Sequence, residues 1–187
     1  MKTFGCVNNT IRTWTGIYFD LANPKPEDVR LKDIAQGLSN TCRFGGQINR
    51  FYSVAEHCVL AAMEAENRGF HKRIIKAVLL HDAAEAYVGD VVKPLKIMLP
   101  QFAEIESAVE LAIEQRYGVD LSHAAIKPID HAMLIAERRQ LFSADDVKWT
   151  GEDEAERVDV KCRCLTPADA YVTFMEMTDR LGMYPGE

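Results

Sequence analysis

Apolar residues in this chain recur mainly at three- and four-residue spacing, the period of helices with one buried face. Asn23-Pro24-Lys25-Pro26 reads as a turn, and Pro26 opens a helix running through Val29, Ile34 and Leu38. Residues 42–50 form a glycine-containing loop with two arginines, Arg43 and Arg50. Ser53-Val54-Ala55-Glu56 has capping-box spacing, so a helix carrying His57 starts there and stops before Gly69. A third helix is predicted from about His71 to Tyr87, with Gly89 as its stop.

A fourth helix begins near Pro100, places Phe102, Ile105, Val109 and Ile113 at helical spacing, and ends at Gly118. Pro128 starts another through Met133, Leu134 and Leu141, and Thr166-Pro167-Ala168-Asp169 caps a final one over 166–182. Residues 143–165 are acidic and irregular, the pattern of a surface excursion, and only the stretch from Arg12 to Phe19 reads as strand. The fold class is all-α, in one domain over 1–187 with its chemistry-bearing segments between 43 and 142.

Composition narrows the function classes. With 187 residues, 48% hydrophobic and 27% charged, the chain has the profile of a globular domain with a sizeable core. The formal net charge of −6 argues against broad binding to nucleic acid, while leaving room for a small anionic substrate at a local cluster of cations. The first residues, Met1-Lys2-Thr3-Phe4-Gly5-Cys6, lack the apolar run of a secretory signal, and no stretch approaches a bilayer span. The five cysteines are odd in number: Cys162 and Cys164 lack a CxxC partner pair, and Cys42 and Cys58 are placed on helical segments as small hydrophobes. The reading is a cytoplasmic protein with no membrane partner, for which a homo-oligomer is compatible with the many amphipathic helices.

The chemistry concentrates around His81-Asp82, set in the apolar run Ala77-Val78-Leu79-Leu80 and followed by Glu85 one turn on and Asp90 just past Gly89. A carboxylate inside an apolar helix is costly unless it is paired or metal-bound. Adjacent helical side chains point about 100° apart, so both can serve one ion only if it sits across the helix surface. His57, on the apolar stretch Val54 to Ala62, is either a satisfied core histidine or a ligand. Asp130 either caps its helix or completes the donor set, with His123 and His131 competing for that place. Glu85 shares the face of His81 and Asp82 and is read either as a salt-bridge partner or as an acid/base group; Asp90 is read as turn chemistry or function. Two imidazoles and two carboxylates from three helices form the inner shell of a divalent ion, an inventory that points to metal-assisted hydrolysis.

The ordered set His57…His81-Asp82…Asp130 resembles the H…HD…D signature of the HD-domain metal-dependent phosphohydrolases. Arg43-Phe44, Ser53-Val54-Ala55-Glu56-His57, His81-Asp82-Ala83-Ala84-Glu85 and Gly89-Asp90…Pro94-Leu95-Lys96 are similar to the small bacterial and phage branch that includes 5′-deoxynucleotidases. It is also similar to phage members that remove triphosphate from dATP. The resemblance covers roughly Trp14 to Phe142. It implies an HD-domain helical bundle holding one divalent ion (Zn2+, Co2+ or Mn2+) through His57, His81, Asp82 and Asp130. It further implies acid/base work for Glu85, a place near substrate and attacking water for Asp90, and a phosphate grip for Arg43. Where deoxynucleotidases often carry a tryptophan against the sugar, this chain has Phe44, an apolar wall of another shape.

The resulting expectation is a phosphohydrolase of 5′-phosphorylated (2′-deoxy)nucleotides, with water attacking the α-phosphorus. Lys93, Lys96 and Arg50 are candidates to reach further phosphates, which separates monophosphatase from triphosphohydrolase. The alternative is a catalytically silent nucleotide-binding sensor on the same fold.

Overall fold

A computed structural model describes residues 8–183. Among these residues, besides two 3-10 turns, the elements in chain order are a short hairpin, β1 (Thr10–Arg12) and β2 (Tyr18–Asp20), and eight α-helices: α1 (Leu31–Asn40), α2 (Val54–Asn67), α3 (Lys72–Leu79), α4 (Glu85–Val88), α5 (Lys93–Met98), α6 (Pro100–Tyr117), α7 (Ile126–Leu141) and α8 (Pro167–Leu181). The all-α architecture expected from periodicity is observed. Among the described residues, no helix is long and apolar enough to cross a membrane. Met1 to Cys6 lie outside the described residues.

Helix α2 is the centre of the molecule, packed against α1, α3, α7 and α8. Its alanine-rich, mostly buried surface explains this, because Ala55, Ala61, Ala62 and Ala65 let four neighbours approach closely. Ser53 caps it by accepting the Glu56 amide at 3.1 Å. The other half of the expected capping box does not form. The Glu56 carboxylate turns away and accepts the backbone amides of Arg163, Cys164 and Leu165 at 2.6, 3.1 and 2.8 Å. Three charge-assisted bonds outweigh the single one a capping box offers, and they tie the irregular 143–165 segment to the central helix.

Two predicted helices are divided. Pro26 opens only a short 3-10 turn, Pro26–Asp28, before the chain extends through Val29 and Arg30 into α1. The helix expected from His71 to Tyr87 breaks between Leu79 and Glu85. His81 Nδ1 bonds the Val78 carbonyl at 2.8 Å, and the His81 amide reaches that same oxygen at 3.4 Å. That carbonyl would have accepted the Asp82 amide in a continuous α-helix, so the ladder is interrupted there. Amides 83, 85, 86 and 87 then bond three residues back, a tighter winding. Helix α5 was not foreseen from the pattern, and Cys42 lies outside any α-helix, paired by an isolated bridge to Ser53.

The hairpin buttresses this break from outside. Phe19 stacks on Tyr87 with centroids 4.1 Å apart, and Asp33 of α1 accepts the Thr15 amide and hydroxyl, each at 2.7 Å. Helix α1 meets α4 at Gly37, where an added Cβ would stand 2.7 Å from both Cβ and O of Ala86.

Candidate metal centre

The break after Leu79 aims His81 and Asp82 at one point, which a regular helix does not do for adjacent residues. Helix α2 brings His57 and α7 brings Asp130 to the same place. His57 Nε2 lies 3.2 Å from His81 Nε2, 3.6 Å from Asp82 Oδ2 and 3.3 Å from Asp130 Oδ1. His81 Nε2 lies 3.3 Å from Asp82 Oδ2 and 3.7 Å from Asp130 Oδ1. His57, His81 and Asp130 each offer one donor within 4.8 Å of the others, and Cys58 forms an overlapping group with His81 and Asp82.

Both histidine tautomers follow from their outer bonds. His57 Nδ1 meets Glu137 Oε1 at 2.6 Å, and His81 Nδ1 meets the Val78 carbonyl, which can only accept. Each Nδ1 therefore carries a proton, and the two Nε2 atoms face one another across 3.2 Å. Such a pair can share a proton or turn both nitrogens toward a metal ion. The neighbouring carboxylates favour positive charge on both rings. Burial opposes charge on His81, yet Asp82 and the bond to Asp130 raise its pKa well above the ordinary value. Burial and Arg43 likewise oppose charge on His57, and Glu137 and Asp130 overcome them.

The spacing suits a small divalent ion. Ligand atoms about 2.0–2.2 Å from a tetrahedral ion lie roughly 3.3–3.6 Å apart, close to the 3.2–3.7 Å observed. Side-chain exposure rises from 0% at His57 and 6% at His81 to 22% at Asp82 and 44% at Asp130, so the cluster opens on its carboxylate side. The two competitors for the Asp130 position are engaged elsewhere. His123 accepts the Ala125 amide at 3.2 Å, and His131 packs where a Gly151 side chain would point.

Glu85, buried at the start of α4, lies 3.5 Å from Lys96 Nζ through Oε1, while Oε2 has no hydrogen-bond partner. Burial, then the charges of Asp82 and Asp90, push its carboxyl from the ordinary 4.5 up to about 9. Glu85 therefore holds a proton at neutral pH. Asp90 is also raised, first by burial, and accepts a hydrogen bond from the Phe44 backbone. That bond ties it to the loop carrying Arg43 rather than to its own turn.

Arg43 is buried and committed. Its Nη1 bonds Asp82 Oδ2 at 3.2 Å, and its Nε pairs with Glu137 Oε2 at 3.2 Å without the alignment of a hydrogen bond. Phe44 follows in left-handed conformation, with φ of 59°, and its half-buried ring lies against Phe142 and Trp149. Lys96 is drawn to Glu106, 2.7 Å away, as well as to Glu85. Lys93, the first residue of α5, and Arg50 are exposed, and among the described residues neither makes an ion pair.

No family model matches the chain. It is 35% identical over 170 residues to the uncharacterized protein YfdR of Escherichia coli (strain K12), covering 89% of this chain and 92% of YfdR. The chain belongs to the YfdR family. An uncharacterized protein of Rhodobacter capsulatus is 33% identical over 153 residues, covering 79% of this chain and 77% of that relative.

In this YfdR-family chain the residue that sequence reasoning missed is Glu137. Fully buried on α7, it binds His57, Tyr52 (2.8 Å) and Arg43 together. Burial opposes its charge, but Arg43 and His57 hold its pKa below the ordinary value. The available signal was its position seven residues after Asp130, two turns along the same helix face.

Proposed function

We propose that the chain is a metal-dependent phosphohydrolase of 5′-phosphorylated (2′-deoxy)nucleotides, of the HD-domain type. The observation that carries the reading is the convergence of His57, His81, Asp82 and Asp130, with both imidazoles oriented Nε2-inward. When bound there, a divalent ion such as Zn2+, Co2+ or Mn2+ supplies Lewis-acid activation of water and polarises a phosphoryl oxygen. Half-open Asp130 marks the side from which substrate and water arrive.

The chain's own residues do the remaining work. Arg43 sits against Asp82 and offers a fixed guanidinium to phosphoryl oxygens beside the donor cluster. Glu85, whose buried carboxyl favours the protonated form, is the acid placed to protonate the departing 5′ oxygen, a poor leaving group as an alkoxide. Lys96 sits 3.5 Å from that carboxyl and steadies it after proton loss. Asp90, bonded to the Phe44 backbone, positions the loop that carries Arg43. Phe44 supplies an apolar surface beside the sugar. A surface that merely fails to pair a hydroxyl discriminates on the order of 10²-fold, so deoxyribonucleotides are preferred without ribonucleotides being excluded.

The test is an assay of nucleoside mono- and triphosphates with Mn2+, Co2+ or Zn2+, with products followed by phosphorus-31 NMR. Inorganic phosphate from a monophosphate, or intact triphosphate from a dNTP, is the expected result. Which of the two appears reports whether Lys93, Lys96 and Arg50 reach the outer phosphates. Release of the terminal phosphate alone overturns attack at the α-phosphorus, and release of pyrophosphate with a nucleoside monophosphate overturns departure of the 5′ oxygen.

A further inference from the structure

From Ser143 to Thr150 every residue is exposed except Trp149, which is half-buried. The segment is held down by Arg138 of α7. Its guanidinium bonds Glu152, Asp145 (2.7 Å) and the Val147 carbonyl, and its central carbon lies 5.0 Å from the Trp149 ring centroid. The Trp149 amide in turn donates to Glu152 at 3.2 Å. This anchoring sets the indole edge-on to Phe142, with centroids 5.4 Å apart, and 6.2 Å from Phe44. Phe44 and Phe142 meet edge-to-face at 5.1 Å. All three rings remain half-buried, so the group presents an apolar aromatic surface at the protein's exterior.

Arg43 joins this surface to the metal cluster. Its guanidinium carbon is 5.2 Å from the Phe44 centroid, while its Nη1 is 3.2 Å from Asp82 Oδ2. A ligand matching both ends has an anionic group at Arg43 and a flat aromatic ring about one sugar further on. We propose that Phe44, Phe142 and Trp149 form one aromatic surface, with Phe44 beside the sugar and Trp149, supplied by the 143–165 segment, as the outer platform on which the nucleobase stacks. The proposal rests on the phosphohydrolase reading for its anionic end. The rings carry no acceptors and one donor, the indole N–H of Trp149, and Arg138, which lies over that indole, is already engaged by Glu152 and Asp145. Stacking on such a surface tolerates every base, since each has a π-face. The site therefore ranks nucleotides by stacking area, purines ahead of pyrimidines, without strict base choice.

The chain has two tryptophans, Trp14 and Trp149. In full-length protein carrying Trp14→Phe and Glu85→Gln, fluorescence reports Trp149 alone while turnover is suppressed. Deoxyadenosine monophosphate should quench it, and 2-deoxyribose 5-phosphate, which lacks a base, should not. With Glu85 intact, Trp149→Ala should raise KM for the nucleotide about tenfold and move KM for deoxyribose 5-phosphate far less. Trp149→Phe should restore most of the loss. Equal losses on both substrates, with no rescue, mean that Trp149 only anchors its segment and overturn the proposal. Unchanged KM for the nucleotide also overturns it, while leaving the phosphohydrolase reading intact. Quenching by the nucleotide in a protein that hydrolyses none supports the stacking surface and removes the phosphohydrolase reading.

Discussion

At Glu137 one fully buried carboxylate serves His57, Tyr52 and Arg43 at once. It fixes the imidazole tautomer that turns Nε2 inward, and partners of this kind typically carry 10–100-fold in metal affinity. Glu137→Gln should therefore weaken metal binding by roughly that factor, read by competition with a chromophoric chelator, while far-ultraviolet circular dichroism stays native. Glu85 makes a different prediction, because its folded pKa of about 9 lies above the ordinary 4.5. Between those values the folded, metal-free protein keeps a proton that the unfolded chain has released. Stability from this group is complete below about 4.5 and declines as pH rises toward about 9. Glu85→Gln should remove that decline, so the variant gains on the parent as pH increases in urea titrations with chelator present. Its turnover should drop on the order of 10²–10⁴-fold. Parental turnover in the variant would mean that another acid protonates the leaving oxygen.

At the scale of elements, the contact between α1 and α4 decides where Glu85 stands. Gly37 allows α1 to lie directly on Ala86, with no room for a methyl group. Gly37→Ala raises helix propensity but forces the helices apart, and overpacking of this kind costs about 1–3 kcal/mol. Chemical denaturation should show that loss despite the better helix former. Hydrogen exchange should speed up in α4 before α7, since α4 is a single short turn clamped by α1 and Phe19. A variant as stable as the parent would show that α1 can shift freely against α4.

For the whole molecule, the donor cluster unites α2, the α3–α4 break and α7, so an ion there crosslinks three separate parts of the bundle. Binding at about 100 Kd adds about 2.7 kcal/mol, which for a chain of this size raises Tm by roughly 5–10 °C. Chelator should reverse the shift. His81→Ala and Asp82→Ala should abolish it, with metal analysis of the purified variants showing no retained ion. Full occupancy in both folded variants would place the metal elsewhere.

Periodicity and caps sufficed for what depends on local physics. The apolar spacing of α6 and α7, the Ser53 and Thr166 caps and the Gly118 stop all lie where the pattern put them. The cost of burying Asp82 beside His81 was legible too, because an unpaired carboxylate among Val, Leu and Ala needs a partner whatever the fold. Four features came only from the folded structure. His81 captures the Val78 carbonyl and breaks a helix that composition favours, since a side-chain bond competes with the backbone ladder in ways propensity does not register. Glu56 abandons its cap for three amides more than a hundred residues away, and Glu137 joins residues from α2 and the Arg43 loop. Trp149, on a segment that reads as mere surface, is brought to Phe44 by Arg138. Apart from the local His81 bond, each is a long-range pairing of polar or aromatic groups, and its energy depends on distances that only the folded chain defines.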